Sequence, residues 1–168
     1  MLQRLILRAL VSLLAALALA GCGEKRTEAL KPNQPAPAFT LPRLDQGPLN
    51  FPSDLAGKPV VVRFWADWCP YCRKEMKLIE AVYQRHKGSG LTVLAVNVSQ
   101  DPDTVRKFMD SLEVSYPALL DEKSEVARTY GVVALPTTVF VGRDGRVRQK
   151  ILGEADEAAF EAAVKGLL

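Results

Sequence analysis

Apolar positions along this chain fall into two kinds of run. Val60 to Trp65 (interrupted only by Arg63), Leu91 to Val98 and Thr138 to Val141 are near-continuous and rich in β-branched residues. That pattern reads as strands buried on both faces. Elsewhere the spacing is helical. From Pro70 to about His86, Met76, Ile79, Val82 and Tyr83 fall on one stripe, and Gly88-Ser89-Gly90 ends it. Asp101-Pro102-Asp103 starts a second helix, with Val105, Phe108, Met109 and Leu112 as its inner face. Shorter pieces complete the count: a strand over Pro117–Leu120, a helix over Ser124–Tyr130, and a strand over Val147–Leu152 after the turn Arg143-Asp144-Gly145-Arg146. A last helix runs from about Glu154 to Leu167. At the front, Phe39–Leu41 and Leu49–Phe51 flank the turn signal Asp45-Gln46-Gly47-Pro48 and predict a hairpin, followed by a helical turn at Ser53–Leu55. Strands alternating with helices and ending in a hairpin plus helix predict an α/β fold, a central mixed sheet with helices on both faces.

Composition changes this picture little except at the N-terminus. A chain of 168 residues with 48% hydrophobic and 24% charged residues suits one ordinary globular domain. Its net charge is +3, of which Arg4 and Arg8 supply two, and no basic run remains beyond them. Nucleic acid is therefore not an expected partner. Residues 1–21 read as an export signal: Arg4 and Arg8, then an apolar stretch from Ala9 to Ala20, short for a membrane span. Leu19-Ala20-Gly21-Cys22 resembles the lipobox of bacterial lipoproteins, which implies cleavage before Cys22 and lipid on it. An uncleaved anchor or an ordinary secretory signal are the alternatives. Residues 22–35, of mixed charge with Pro32 and Pro35, read as a tether, and 36–168 as the folded domain. The expected compartment is extracytoplasmic, on the periplasmic side of a bacterial membrane, where disulfides persist. Gly23 in place of Asp leans towards the outer membrane in proteobacterial-type sorting. The choice of membrane stays open.

The candidate chemistry sits where the first core strand meets the first long helix, at Trp68-Cys69-Pro70-Tyr71-Cys72. Pro70 suits a first helical turn, which needs no amide donor there. Cys69 is thereby placed at the positive end of a helix dipole, an environment that favours a thiolate. Two residues apart, the cysteines can close a small disulfide ring. The chemistry this predicts is thiol–disulfide exchange, with accessible Cys69 as the attacking sulfur and Cys72 resolving the mixed disulfide. Half a zinc site is the competing reading, but structural zinc needs four ligands. The remaining candidates are Cys22, in the export segment, and the one histidine, His86. An inert buried cysteine pair is a third reading.

Phe64-Trp65-Ala66-Asp67-Trp68-Cys69-Pro70-Tyr71-Cys72 resembles the active-site signature of the thioredoxin superfamily. Within it the chain resembles the TlpA/ResA-like extracytoplasmic thiol-disulfide oxidoreductases, from about Pro35 onward. The supporting blocks are Ala36-Pro37-Ala38-Phe39-Thr40-Leu41, Gly57-Lys58-Pro59, Val96-Asn97-Val98-Ser99, Tyr116-Pro117-Ala118-Leu119-Leu120-Asp121 and Leu135-Pro136-Thr137-Thr138-Val139-Phe140. The resemblance implies a thioredoxin-like three-layer fold with an N-terminal β-hairpin and an inserted strand–helix element. It implies that Pro136 is cis and stands opposite the Cys69–Cys72 pair, the backbone before it pairing with substrate as an extended strand and Trp68, Leu135 and Pro136 binding substrate; an ordinary trans proline opening an edge strand is the alternative. It implies a proton-moving role for Glu75, one helical turn past Cys72, whose carboxyl would be driven towards its neutral form if partly buried. No cofactor is implied. The implied partners are exported proteins with oxidised cysteine pairs, such as cytochrome c or respiratory oxidase precursors. A transmembrane thiol donor of the DsbD/CcdA type would recharge the enzyme.

Arg63 departs from that family pattern. Facing the sheet interior, it must reach solvent along its stem or pair with a carboxylate such as Glu75. Two other functions fit the same fold. A thiol peroxidase wants Pro and Thr seven and three residues before its nucleophile, where this chain has Val62 and Ala66. A copper-binding assembly factor pairs Cys-x-x-x-Cys with a distant His, and the spacing here is one residue short.

Overall fold

The strand Val60–Trp65 (β3) is buried at every position and forms the middle of the molecule. The computed structural model describes residues 30–168, so the predicted export signal and Cys22 lie outside the described residues. Five strands form the main sheet. Thr92–Val98 (β4) pairs parallel with β3, and Ala118–Asp121 (β5) pairs parallel with β4. On the other side Thr137–Val141 (β6) runs antiparallel to β3, and Val147–Leu152 (β7) antiparallel to β6, giving the order β5-β4-β3-β6-β7. The first hairpin, Phe39–Leu41 (β1) with Leu49–Phe51 (β2), forms a separate two-stranded sheet.

The period of two along β3 divides the core. Val61 and Trp65, with Val93 and Ala95, face Cys72–His86 (α1), Pro102–Asp110 (α2) and Glu157–Lys165 (α4). Val60, Val62 and Phe64 face the opposite way, onto Glu125–Thr129 (α3) and the β1–β2 hairpin. A continuous apolar run was needed because both faces are covered. Among the described residues the second face carries one short α-helix, and the aromatic rings of Phe39, Phe51, Phe64 and Tyr130 fill much of its layer, with centroids 5.1–5.9 Å apart in successive pairs. β5 and α3 are the added strand–helix element, at the sheet edge.

Asp121 ties that element down. Its buried carboxylate accepts the backbone N–H groups of Val126 (3.3 Å) and Ala127 (2.8 Å), the opening donors of α3. Ser124, the nominal cap, is left-handed (φ 55°) and offers no side-chain cap bond. Asp121→Ala therefore orphans two donors on a helix too short to stand alone, and a loss of about 1–2 kcal/mol in urea unfolding is expected.

Residues just before 36 pair with the main sheet. Asn33 N–H bonds to Val147 O (2.7 Å), Val147 N–H to Gln34 O (2.8 Å) and Ala36 N–H to Gly145 O (2.9 Å). Residues 33–36 thus lie along the start of β7. Composition alone does not reveal backbone pairing of this kind.

Candidate active site

β3 delivers Trp65 to the end of the sheet, and the chain then turns sharply into α1. Cys69 N–H bonds to Ala66 O (3.3 Å) and Cys72 N–H to Cys69 O (3.2 Å), so Cys69-Pro70-Tyr71-Cys72 is a tight turn. The helix begins at Cys72, two residues after the start read at Pro70. Pro70 explains the difference: it fits the second position of such a turn as well as a first helical turn, and the Cys72 N–H to Cys69 O bond makes it the former. The two sulfurs form a disulfide, with Cα atoms 5.4 Å apart.

The expectation of an accessible Cys69 also needs correcting. Cys69 is 2% exposed and Cys72 fully buried, both packed into the core cluster with Trp65 and Met76. What the motif shows to solvent is Trp68, 68% exposed, and Tyr71, 54% exposed. Bonded to each other, the sulfurs turn inward, and the aromatic residues beside them hold the surface.

Side chains from far along the chain hold this turn. Gln100 Oε1 accepts Asp67 N–H (2.9 Å) and Asn97 Nδ2 (2.8 Å), while Gln100 Nε2 donates to Asp67 Oδ1. Asn97 is buried on β4 in register with Trp65. Trp65 stacks on Phe108 of α2 at 4.8 Å between centroids. Gln100 was not legible as a site residue, and Asn97 was visible only as part of a motif.

Below the disulfide lies a fully buried ion pair. Arg63 projects from β3 on the same face as Trp65 and meets Glu75, one turn into α1. Nη1 to Oε1 is 2.9 Å and Nη2 to Oε2 2.7 Å, a bidentate arrangement. Nη1 also donates to Thr138 Oγ1 (2.7 Å) from the neighbouring strand, and Glu75 Oε1 accepts Ala155 N–H (3.4 Å). Burial pushes the Arg63 guanidinium down from its ordinary range, opposed by the charge and hydrogen bonds of Glu75. Of the two routes open to Arg63, the structure takes the pairing. A groove of about 340 Å³, lined by Lys74, Leu78, Glu154 and Ala155, reaches Glu75 from outside. The other nearby cations are also engaged. Arg73 lies 4.5 Å over the Phe108 ring and donates to Ser111 Oγ (2.9 Å), and Lys74 faces Glu154 at 3.4 Å.

The Leu135–Pro136 bond is cis. Pro136 is buried, its carbonyl accepts Gly153 N–H (2.8 Å), and Leu135 packs partly buried against the cluster that holds the disulfide. Val133, two residues earlier, is 83% exposed. His86 is not brought to this site. It ends α1, fifteen residues long, and its Nε2 contacts Glu161 at 2.6 Å, about 20 Å of helix away from Cys72. Among the described residues no group of three His, Cys, Asp or Glu side chains is placed to hold a metal ion.

A strand–turn–helix carrying a closed Cys-Pro-Tyr-Cys disulfide beside a cis-proline loop matches known proteins over most of the chain. The AhpC/TSA family model matches residues 32–150. The chain belongs to the AhpC/TSA family. Within it, its relatives are thiol-disulfide oxidoreductases. ResA of Bacillus subtilis is 34% identical over 131 residues, covering 78% of this chain and 73% of that protein. ResA of Geobacillus kaustophilus is 33% identical over 169 residues, covering 98% and 97%. A solved thiol:disulfide interchange protein of the thioredoxin family from Chlorobium tepidum superposes with a TM-score of 0.73 at 27% identity, over 83% of this chain and 99% of that one. The protein is an enzyme of this type, a thiol-disulfide oxidoreductase with the Cys69–Cys72 pair as its disulfide.

Proposed function

We propose that the protein is a membrane-tethered, extracytoplasmic reductase of disulfides in exported proteins, of the kind that serves cytochrome c or respiratory oxidase assembly. The observation that carries the direction is electrostatic. A disulfide oxidant needs a strongly stabilised thiolate in its reduced form. Here each cation near the motif already has a partner: Arg63 with Glu75, Arg73 over Phe108 and on Ser111, Lys74 with Glu154. Among the described residues these three cations are thus already engaged away from Cys69.

In the forward reaction the Cys69 thiolate attacks a substrate disulfide and releases one substrate thiolate. The Cys72 thiolate then attacks Cys69 Sγ, the second substrate sulfur leaves, and the Cys69–Cys72 bond closes. Two electrons and two protons have passed to the substrate. Trp68, Leu135 and Pro136 are the proposed contact surface for the substrate strand. A transmembrane thiol donor of the DsbD/CcdA type would return the enzyme to its dithiol form. A shuttle role for Glu75 requires its carboxylate to leave Arg63, so the bidentate pairing favours a positioning role instead. Lipid on Cys22 would supply the tether, which the Leu19-Ala20-Gly21-Cys22 motif supports. The peroxidase reading lacks its Pro and Thr, and the copper reading lacks a histidine near the pair.

The test is the redox potential. Equilibration with dithiothreitol or glutathione buffers is expected to give a value near thioredoxin's roughly −270 mV. A value above roughly −160 mV would reverse the assignment to an oxidant.

A further inference from the structure

The chain enters its fold at the end of the sheet away from the disulfide. β3 begins at Val60, opposite Val141, and the β6–β7 turn lies just beyond it. Arg143 in that turn donates to Gly57 O (3.3 Å) and Ser89 O (3.0 Å), gathering the loop before β3 and the turn after α1 into one pole. The first described residues are fastened there too: Arg146 Nη1 donates to Asn33 O (2.6 Å) and Arg148 Nη1 to Asn33 Oδ1 (3.4 Å). The disulfide is at the opposite pole, at the far ends of both β3 and α1.

This pole is strongly basic. Lys31, Lys58, Lys87, Arg143, Arg146 and Arg148 are all exposed on it. Two carboxylates lie on the same segments, Asp144, paired with Arg148 at 2.7 Å, and Asp54 in the loop before β3, and Leu168 O also accepts Arg143 Nε (3.4 Å). Even without Lys31, five cations against these two carboxylates leave an excess of three positive charges, whereas residues 30–168 carry 18 Lys and Arg against 17 Asp and Glu, a net +1. The rest of residues 30–168 is therefore net negative. No basic run in the sequence announces this, because folding assembles the cations from four separate segments.

We infer that this basic pole rests on an anionic lipid surface. Two independent features coincide on it: the charge, which complements acidic headgroups within a Debye length, and the entry point of the N-terminal segment. The inference rests on the tethered reading proposed above and adds an orientation to it. With the basic pole against the bilayer, Cys69 and Cys72 point away from it, towards soluble substrates, and a membrane-embedded thiol donor must present its own thiols on a projecting domain.

The experiment uses the full chain in vesicles of phosphatidylcholine alone, or with about a third phosphatidylglycerol. Exposed amines are acylated with a membrane-impermeant reagent and scored by mass spectrometry. Lys74, 82% exposed near the disulfide, is the internal reference. On anionic vesicles at low salt, labelling of Lys58 and Lys87 relative to Lys74 is expected to fall roughly fivefold or more, returning in about 0.5 M salt. Equal labelling on both lipid compositions overturns the inference. Equal protection of the two lysines by soluble heparin would assign the pole to a polyanion and overturn the lipid assignment. Flotation is read separately: a chain that fails to float with neutral vesicles yet floats with anionic ones counts against the tether while upholding the pole.

Discussion

Arg63→Met is expected to destabilise the domain by about 3–5 kcal/mol, the usual cost of stripping one partner from a buried ion pair. Both side chains are within 1% of complete burial, so water cannot replace the missing guanidinium. The Glu75 carboxylate would keep only the long contact from Ala155 N–H. Glu75→Leu should cost a similar amount by the opposite route, leaving a buried cation with Thr138 as its remaining side-chain partner. Arg63→Met combined with Glu75→Leu removes both charges at similar volume and is expected to recover most of the loss. Urea unfolding of the three variants against the parent checks this. A double variant as unstable as the worse single one would show that the pair does more than balance itself. The pair joins β3, β6 and α1 directly beneath the disulfide, so its loss is also expected to loosen the first turn of α1.

How far this site could be read from sequence depends on whether its determinants are local. β1, β2 and β7 fall at the bounds expected from alternation and turn residues, and α2 begins at the predicted Asp101 cap, whose side chain accepts Thr104 N–H (2.9 Å). These signals lie within a few residues of what they specify. The pairing of Arg63 with Glu75 was one of two options, decided by burial. The hold of Gln100 on Asp67, 33 residues apart, has no local signature at all, nor has the docking of Asn33 on Val147. The start of α1 was misjudged because Pro70 suits either a first helical turn or the second position of a tight turn. Only the hydrogen bond from Cys72 N–H to Cys69 O separates them. The basic pole was invisible for the same reason as Gln100: its charges are neighbours only after folding.

Cys72→Ser is expected to turn the enzyme into a trap for its own substrates, with turnover abolished. In the parent, a mixed disulfide on Cys69 is short-lived because Cys72 is held one tight turn away, its N–H on the Cys69 carbonyl. Serine preserves that geometry but cannot attack sulfur, so the covalent complex persists. The complementary variant behaves differently. In Cys69→Ser the surviving thiol is Cys72, fully buried in the first turn of α1, with Glu75 and Met76 buried on the turn that follows it. Cys69 sits on the turn between exposed Trp68 and Pro70, whereas Cys72 lies inside the helix, so once the disulfide is open a substrate meets Cys69 first. The reduced full-length variants would be mixed with an oxidised peptide bearing a Cys-x-x-Cys disulfide, quenched with acid and alkylated, and resolved without reductant. Cys72→Ser should hold roughly tenfold or more adduct than Cys69→Ser, all of it on Cys69 by peptide mapping. Equal trapping by the two variants would refute the division of labour, since it would mean that both sulfurs meet substrate.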